Sequence, residues 1–189
     1  MLRRLLLLLV LGWAGAVGAG EARLSLCYNY GCQAEAAVSF ETAELEVVRA
    51  SLAAAANPAE ERTALSAALG LLYAIAGART PVGADRAGNF LDLGAEGRMD
   101  CIDHSTSTTR LLRLIEARGW LRFHRVAAPA RRSRLIFQHF SAVIEETEGE
   151  GERERGGRYA IDSWFVNNGE AAIVLPLAEW LDGGGPNVH

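Results

Sequence analysis

The sequence predicts an α+β fold in which N-terminal helices and a cysteine-bearing helix pack on an antiparallel sheet. Three observations lead there. Apolar residues recur at helical spacing with interruptions from Ala43 to about Arg118, the period changes to two from Trp120 onward, and helices precede strands instead of alternating with them. Half of the 189 residues are hydrophobic, enough to fill one sizeable core.

Residues 1–20 read as a signal peptide. Arg3 and Arg4 precede an apolar run from Leu5 to Trp13, then small residues lead to cleavage near Ala19 or Gly20. The apolar run is too short and Gly-interrupted for a membrane span, and Leu26 stands where a lipoprotein signal needs a small residue before Cys27. Residues 21–189 are therefore expected to form a single periplasmic or secreted domain without a stable membrane anchor. The helical cover falls at about 40–78 and the core at about 95–183.

Cys27 and Cys32, in C-Y-N-Y-G-C, are close enough for a local disulfide, which leaves Cys101 as the odd thiol. Cys27 to Ser39 reads as irregular, with Tyr28 and Tyr30 anchoring a loop. Thr42 is the expected cap of a helix from Ala43 to Ala55, with Glu44 and Glu46 in its first turn. Asn57, Pro58 and Glu60 start a second helix, expected to bury Leu65, Ala68, Leu72 and Ile75 and to stop at Gly77. Arg79 to Asp100 is a long connection that should pack beside the candidate site, where Asp85, Arg86 and Asn89 can contact substrate or an oxyanion. The competing reading of Asp85 and Arg86 is loop closure through side-chain bonds to backbone.

A helix should run from Cys101 to Arg118 and end at Gly119. The hydroxyl-rich run Ser105 to Thr109 favours helix only where something packs closely against it. Strands are expected at Trp120–Val126, Leu135–Glu146, Arg158–Val166 and Ala171–Leu175. Ala127–Arg134 reads as a turn, Glu148–Gly157 as a charged tip, and Leu177–Leu181 as a last helical turn.

Charge narrows the partners. The formal net charge is −4, and loss of Arg3 and Arg4 with the leader makes it −6, with no basic face, so nucleic acid is not expected. Every basic residue is arginine, which excludes a lysine nucleophile or Schiff base.

A thiol at a helix N-terminus should have its pKa lowered by the helix dipole and the unpaired amides. His139 and Asp162 follow it on expected strands. If the strands are neighbours, the order nucleophile, base and orienting carboxylate forms a candidate Cys101-His139-Asp162 triad. The Cys101 amide would meet the oxyanion with a second donor from Asn89, Trp120 or the loop. His124 is the reserve base, His104 reads as a surface residue at the helix start, and Trp164 and Trp180 read as core, with Trp164 also a substrate contact.

G-R-M-D-C-I-D-H, H-F-S-A-V-I-E and Y-A-I-D-S-W-F together resemble the core of transglutaminase-like and papain-like cysteine peptidases, over about residues 95–170. Elsewhere the chain resembles exported bacterial proteins. The resemblance implies a Cys-His-Asp peptidase, amidase or transglutaminase; the expected compartment points to a peptide or protein amide of the cell envelope as substrate, and without a metal or nucleotide motif no cofactor is implied. Ile102 replaces the aromatic residue often found after the cysteine, so substrate preference does not carry over. Two alternatives remain: a non-catalytic periplasmic binding or interaction module on the same fold, and a zinc site from Cys101, His104, His139 and Asp162.

Overall fold

A computed structural model describes residues 20–134, 137–147 and 157–187. The expected signal peptide and most of the charged tip lie outside the described residues. Within them the fold is α+β, with four α-helices and antiparallel sheets.

The chain opens with a hairpin, β1 (Ala22–Tyr28) against β2 (Ala34–Phe40), paired from Ala22–Phe40 to Tyr28–Ala34. The expectation of irregular chain from Cys27 to Ser39 is therefore corrected. A Cys27–Cys32 disulfide closes the connection, and Asn29, Tyr30, Gly31 and Cys32 all have positive φ. Such a run turns four successive amides along a left-handed path that strands cannot supply.

Helix α1 (Thr42–Ala54) starts one residue earlier than expected. Glu41 is its cap, and the Glu41 amide donates to Glu44 Oε2 at 2.9 Å. Helix α2 (Pro58–Arg79) is capped by Asn57, whose side chain accepts the Glu60 amide, and carries proline in its first turn, as the sequence signals require. It does not stop at Gly77. That glycine sits where a Cβ would lie 2.3 Å from Asn168 Oδ1 and 2.9 Å from Gly83 Cα, so it serves close approach instead of termination. A 3-10 turn, Pro81–Ala84, follows.

Helix α3 (Cys101–Ala117) ends as expected before Gly119, whose φ is +68°. Leu111, Leu112 and Ile115 are fully buried, each a contribution of about 1.5–3 kcal/mol from burial. They meet Leu26 and Phe40 of the hairpin, Leu45 and Leu52 of α1, Leu65, Leu69 and Leu72 of α2, and one face of the main sheet through Ala142, Ile144 and Ile161.

That sheet orders β3 (His124–Val126), β5 (Phe137–Glu146), β6 (Arg158–Asp162) and β7 (Ile173–Pro176), with β4 (Ala130–Arg134) also on β5. The expected turn at Ala127–Arg134 thus contains a strand, and the strand expected at Trp120–Val126 shrinks to three residues. β3 and β4 both pair antiparallel with β5, and their registers differ by one residue, the mark of a bulge between them. On the other face of the sheet, Val143 and Ala160 pack with Phe165, Leu177 and Trp180, the last two on α4 (Leu177–Leu181). Alternation puts His139 and Asp162 on this second face. Among the described residues no helix is long and apolar enough to cross a membrane.

Candidate active site

The site is built where the start of α3 meets β5. β6 pairs with Ala142–Glu145 only, so residues 137–141 extend beyond it. Against this stretch lies Cys101, with Sγ 3.8 Å from Gln138 O and the Phe140 amide directed to the sulfur. Between those two residues, His139 turns into a cavity of about 430 Å³ lined also by Cys101, Asn89, Phe90, Phe137 and Trp164.

The His139 ring is held tightly. Its Nε2 is 2.7 Å from Asp162 Oδ2, and a carboxylate can only accept, so Nε2 is the donor of this bond. Asp162 is buried and held in turn: Trp180 Nε1 donates to Oδ2 at 2.8 Å and the Trp164 amide to Oδ1 at 3.2 Å. Trp164, Phe165 and Trp180 rings stand 4.6, 5.5 and 5.6 Å from the imidazole. Asn89 Oδ1 accepts from Trp164 Nε1 at 2.6 Å. Because an indole can only donate, this fixes the Asn89 amide with its oxygen on Trp164 and leaves Nδ2 as a donor.

The thiol contradicts one expectation. Burial pushes Cys101 up to about 11, with the Asp100 and Asp162 charges adding to the rise and the Phe140 amide opposing it. The helix cap gives the thiolate little relief. Asp100 Oδ1 already accepts the Ile102 and Asp103 amides, both at 3.0 Å, so the donors that would have stabilised a thiolate are spent on a carboxylate. The resting residue is a neutral thiol.

Asp100 and Asp103 also reach back to the left-handed loop. The Tyr30 and Cys32 amides donate to Asp103 at 2.8 and 2.6 Å, and the Gly31 amide to Asp100 Oδ2 at 2.9 Å. The Tyr30 hydroxyl donates to Asn89 O at 3.0 Å. The disulfide loop therefore clamps both the start of the cysteine helix and the loop at Asn89. Sequence reasoning missed this clamp, although D-C-I-D has the three-residue spacing of a capping box. Burial raises Asp103 to about 6, and the Asp100 charge adds to that.

Other candidates sit elsewhere. Asp85 is buried, accepts the Met99 amide at 2.9 Å and stands 3.1 Å from His104 Nε2, while Arg86 donates to Gly83 O and Asp85 O. Both brace the loop and neither lines the cavity. His104 is buried, not on the surface: its Nδ1 is 2.9 Å from Ser163 Oγ, which continues through Thr108 to the Tyr73 hydroxyl. Burial opposes its charge, but Asp85, with Asp162 and Asp103 adding to it, outweighs that and raises its pKa. With His104 turned inward, the zinc alternative loses a ligand. Among the described residues the ligand atoms that converge are those of Cys27, Cys32 and Glu35, and both sulfurs are held in the disulfide. His124 is also sealed away, 2.8 Å from Glu61 Oε2. Trp120 is core near the far end of α3 and cannot serve the oxyanion.

No family model matches the chain, and neither the curated proteins nor the solved structures contain a match.

Proposed function

We propose that this protein is an exported cysteine-dependent acyl-transfer enzyme with a transglutaminase-like or papain-like core, acting on an amide. The observation that carries the reading is the 2.7 Å bond from His139 to the buried Asp162, with His139 and Cys101 lining one cavity. His139 Nδ1 takes the thiol proton as Sγ bonds to the acyl carbon, so the neutral thiol becomes a nucleophile only in the presence of substrate. The C–N bond then breaks, the imidazolium gives its proton to the leaving amine, and water or a second amine releases the thioester and restores the thiol. The Cys101 amide and Asn89 Nδ2 are the donors for the oxyanion. The disulfide supports the assignment to an oxidising compartment such as the periplasm.

Alkylation of Cys101 against pH tests this. His139→Ala should slow the reaction at neutral pH at least about tenfold, because the remaining thiol has no base. Equal rates in both proteins sink the reading. One observation favours a second reading, a non-catalytic module that binds an apolar ligand: Cys101 is raised to about 11 in a cavity with aromatic walls. An inert Cys101 with a ligand-binding cavity would be its signature.

A further inference from the structure

The charges around the cavity run against those of the chain. The protein is net acidic, yet the charged side chains lining the cavity, apart from the ionisable catalytic pair, are Arg132 and Arg134. Arginines elsewhere commonly face carboxylates, as Arg79 does Glu44, Arg110 does Glu35 and Arg125 does Glu145. Among the described residues Arg132 and Arg134 have no carboxylate within ion-pair distance.

Their placement is fixed. Arg132 Nη1 donates to Trp180 O at 2.6 Å and Gly184 O at 2.8 Å, and Arg134 Nη2 donates to Asp182 O at 2.5 Å. Each guanidinium is thus oriented through one nitrogen, which leaves further N–H groups for a ligand. Arg132 stands directly opposite His139 in the β4–β5 ladder. The two side chains share a floor: the guanidinium carbon lies 4.7 and 5.8 Å from the Trp180 and Phe165 rings that also flank the imidazole.

An arginine with N–H groups left over beside the proton donor can place an anion near the group that leaves. In an α-amino acid leaving group the carboxylate is one carbon from the nitrogen that His139 protonates. Beside Asn89 and Gln138, the wall carries the aromatic rings of Phe90, Phe137 and Trp164, and Phe90 and Phe137 are largely exposed. An exposed aromatic pair at a cavity mouth marks a site for apolar side chains.

We propose that the cavity takes the C-terminal end of a peptide whose last residue is apolar, with Arg132 as principal recognition residue for the free α-carboxylate and Arg134 assisting. The assignment of that residue as leaving group rests on the acyl-transfer reading above. Chemically this selects cleavage or exchange of the terminal residue over cutting within a chain.

The test uses the mature full chain with Cys101→Ala, so that nothing turns over. N-acetyl-Leu-Phe with a free carboxylate and the same peptide as its C-terminal carboxamide are titrated, with calorimetry as readout. The acid should bind about tenfold more tightly at low salt, the size of one charge-assisted contact, and the advantage should shrink as salt rises. Arg132→Gln should remove most of the preference and Arg134→Gln part of it. Should Arg132→Gln fail to fold, the acid-to-amide ratio, its salt dependence and the Arg134→Gln protein still decide. Equal binding of acid and amide, a preference for the amide, or no binding of either overturns the proposal. The acyl-transfer reading is judged separately by the effect of His139→Ala on Cys101 alkylation, so a failure of one is not mistaken for a failure of the other.

Discussion

Two of the histidine–carboxylate pairs among the described residues, of nearly equal length, lie at opposite ends of β5, and their surroundings differ. His139 and Asp162 are 2.7 Å apart and the imidazole side chain keeps 13% of its surface exposed, whereas His124 and Glu61 are 2.8 Å apart with both side chains at 0%. Glu61 also accepts the Arg122 and Phe123 amides at 2.7 and 3.0 Å, so one carboxylate ties α2 to the approach of β3. On the far side of His124, Arg62 bonds to Glu146 and lies over the Tyr159 ring. Nothing from outside can reach the second pair. The same two functional groups make a structural joint when every polar atom is consumed, and a reactive one when a ring nitrogen faces a cavity.

Substitution separates the two roles. The largest effect is expected from Glu61→Ala, which strips three donors of their acceptor inside the protein: urea unfolding should show a loss of about 3–5 kcal/mol. Glu61→Gln, which keeps an acceptor, should lose less, and Cys101 in folded Glu61→Gln should alkylate at the parent rate. If that rate falls with Glu61, the two pairs are not independent. Asp162→Asn should do the reverse in kind, slowing alkylation of Cys101 by about 10²-fold, because the amide no longer fixes the proton on Nε2. A normal rate in this variant would mean that Asp162 is only a bracket for Trp180.

The smallest effect concerns pH. Asp103, raised from 3.8 to about 6, binds its proton more readily in the folded state, so folding is linked to proton uptake between those values. Its contribution is fully present below pH 3.8 and is lost as pH rises through about 6. His104, raised above 6.5, acts in the same sense at higher pH. Midpoints of urea unfolding measured from pH 8 to pH 5 should therefore gain a component that Asp103→Asn lacks. An identical pH slope in the variant would remove the clamp carboxylate from this account.

The contrast between the pairs also shows what the sequence could disclose. The cysteine helix was legible because apolar spacing and the stop at Gly119 agree. His139 and Asp162 stood out because period-two runs placed them on strands. What stayed hidden depended on partners far along the chain. Ala34 to Phe40 is rich in alanine, so its alternation is faint, and β1 and β2 went unseen. β4 is arginine-rich and follows Pro129, which reads as a turn until β5 is beside it. His104 looked like a surface residue because its partners, Asp85 and Ser163, lie 19 and 59 residues away. The thiol's raised pKa was invisible because it comes first from burial, with Cys101 set against residues 138–140 of β5, far along the chain.

The five-residue separation of Cys27 and Cys32 has a consequence for how the molecule is made. A loop this short costs little entropy to close, so this pair can join without residues 30 and 103 being held together. With those two sulfurs joined, Cys101 has no cysteine partner left within the chain, and a bridge to it would have to come from another molecule.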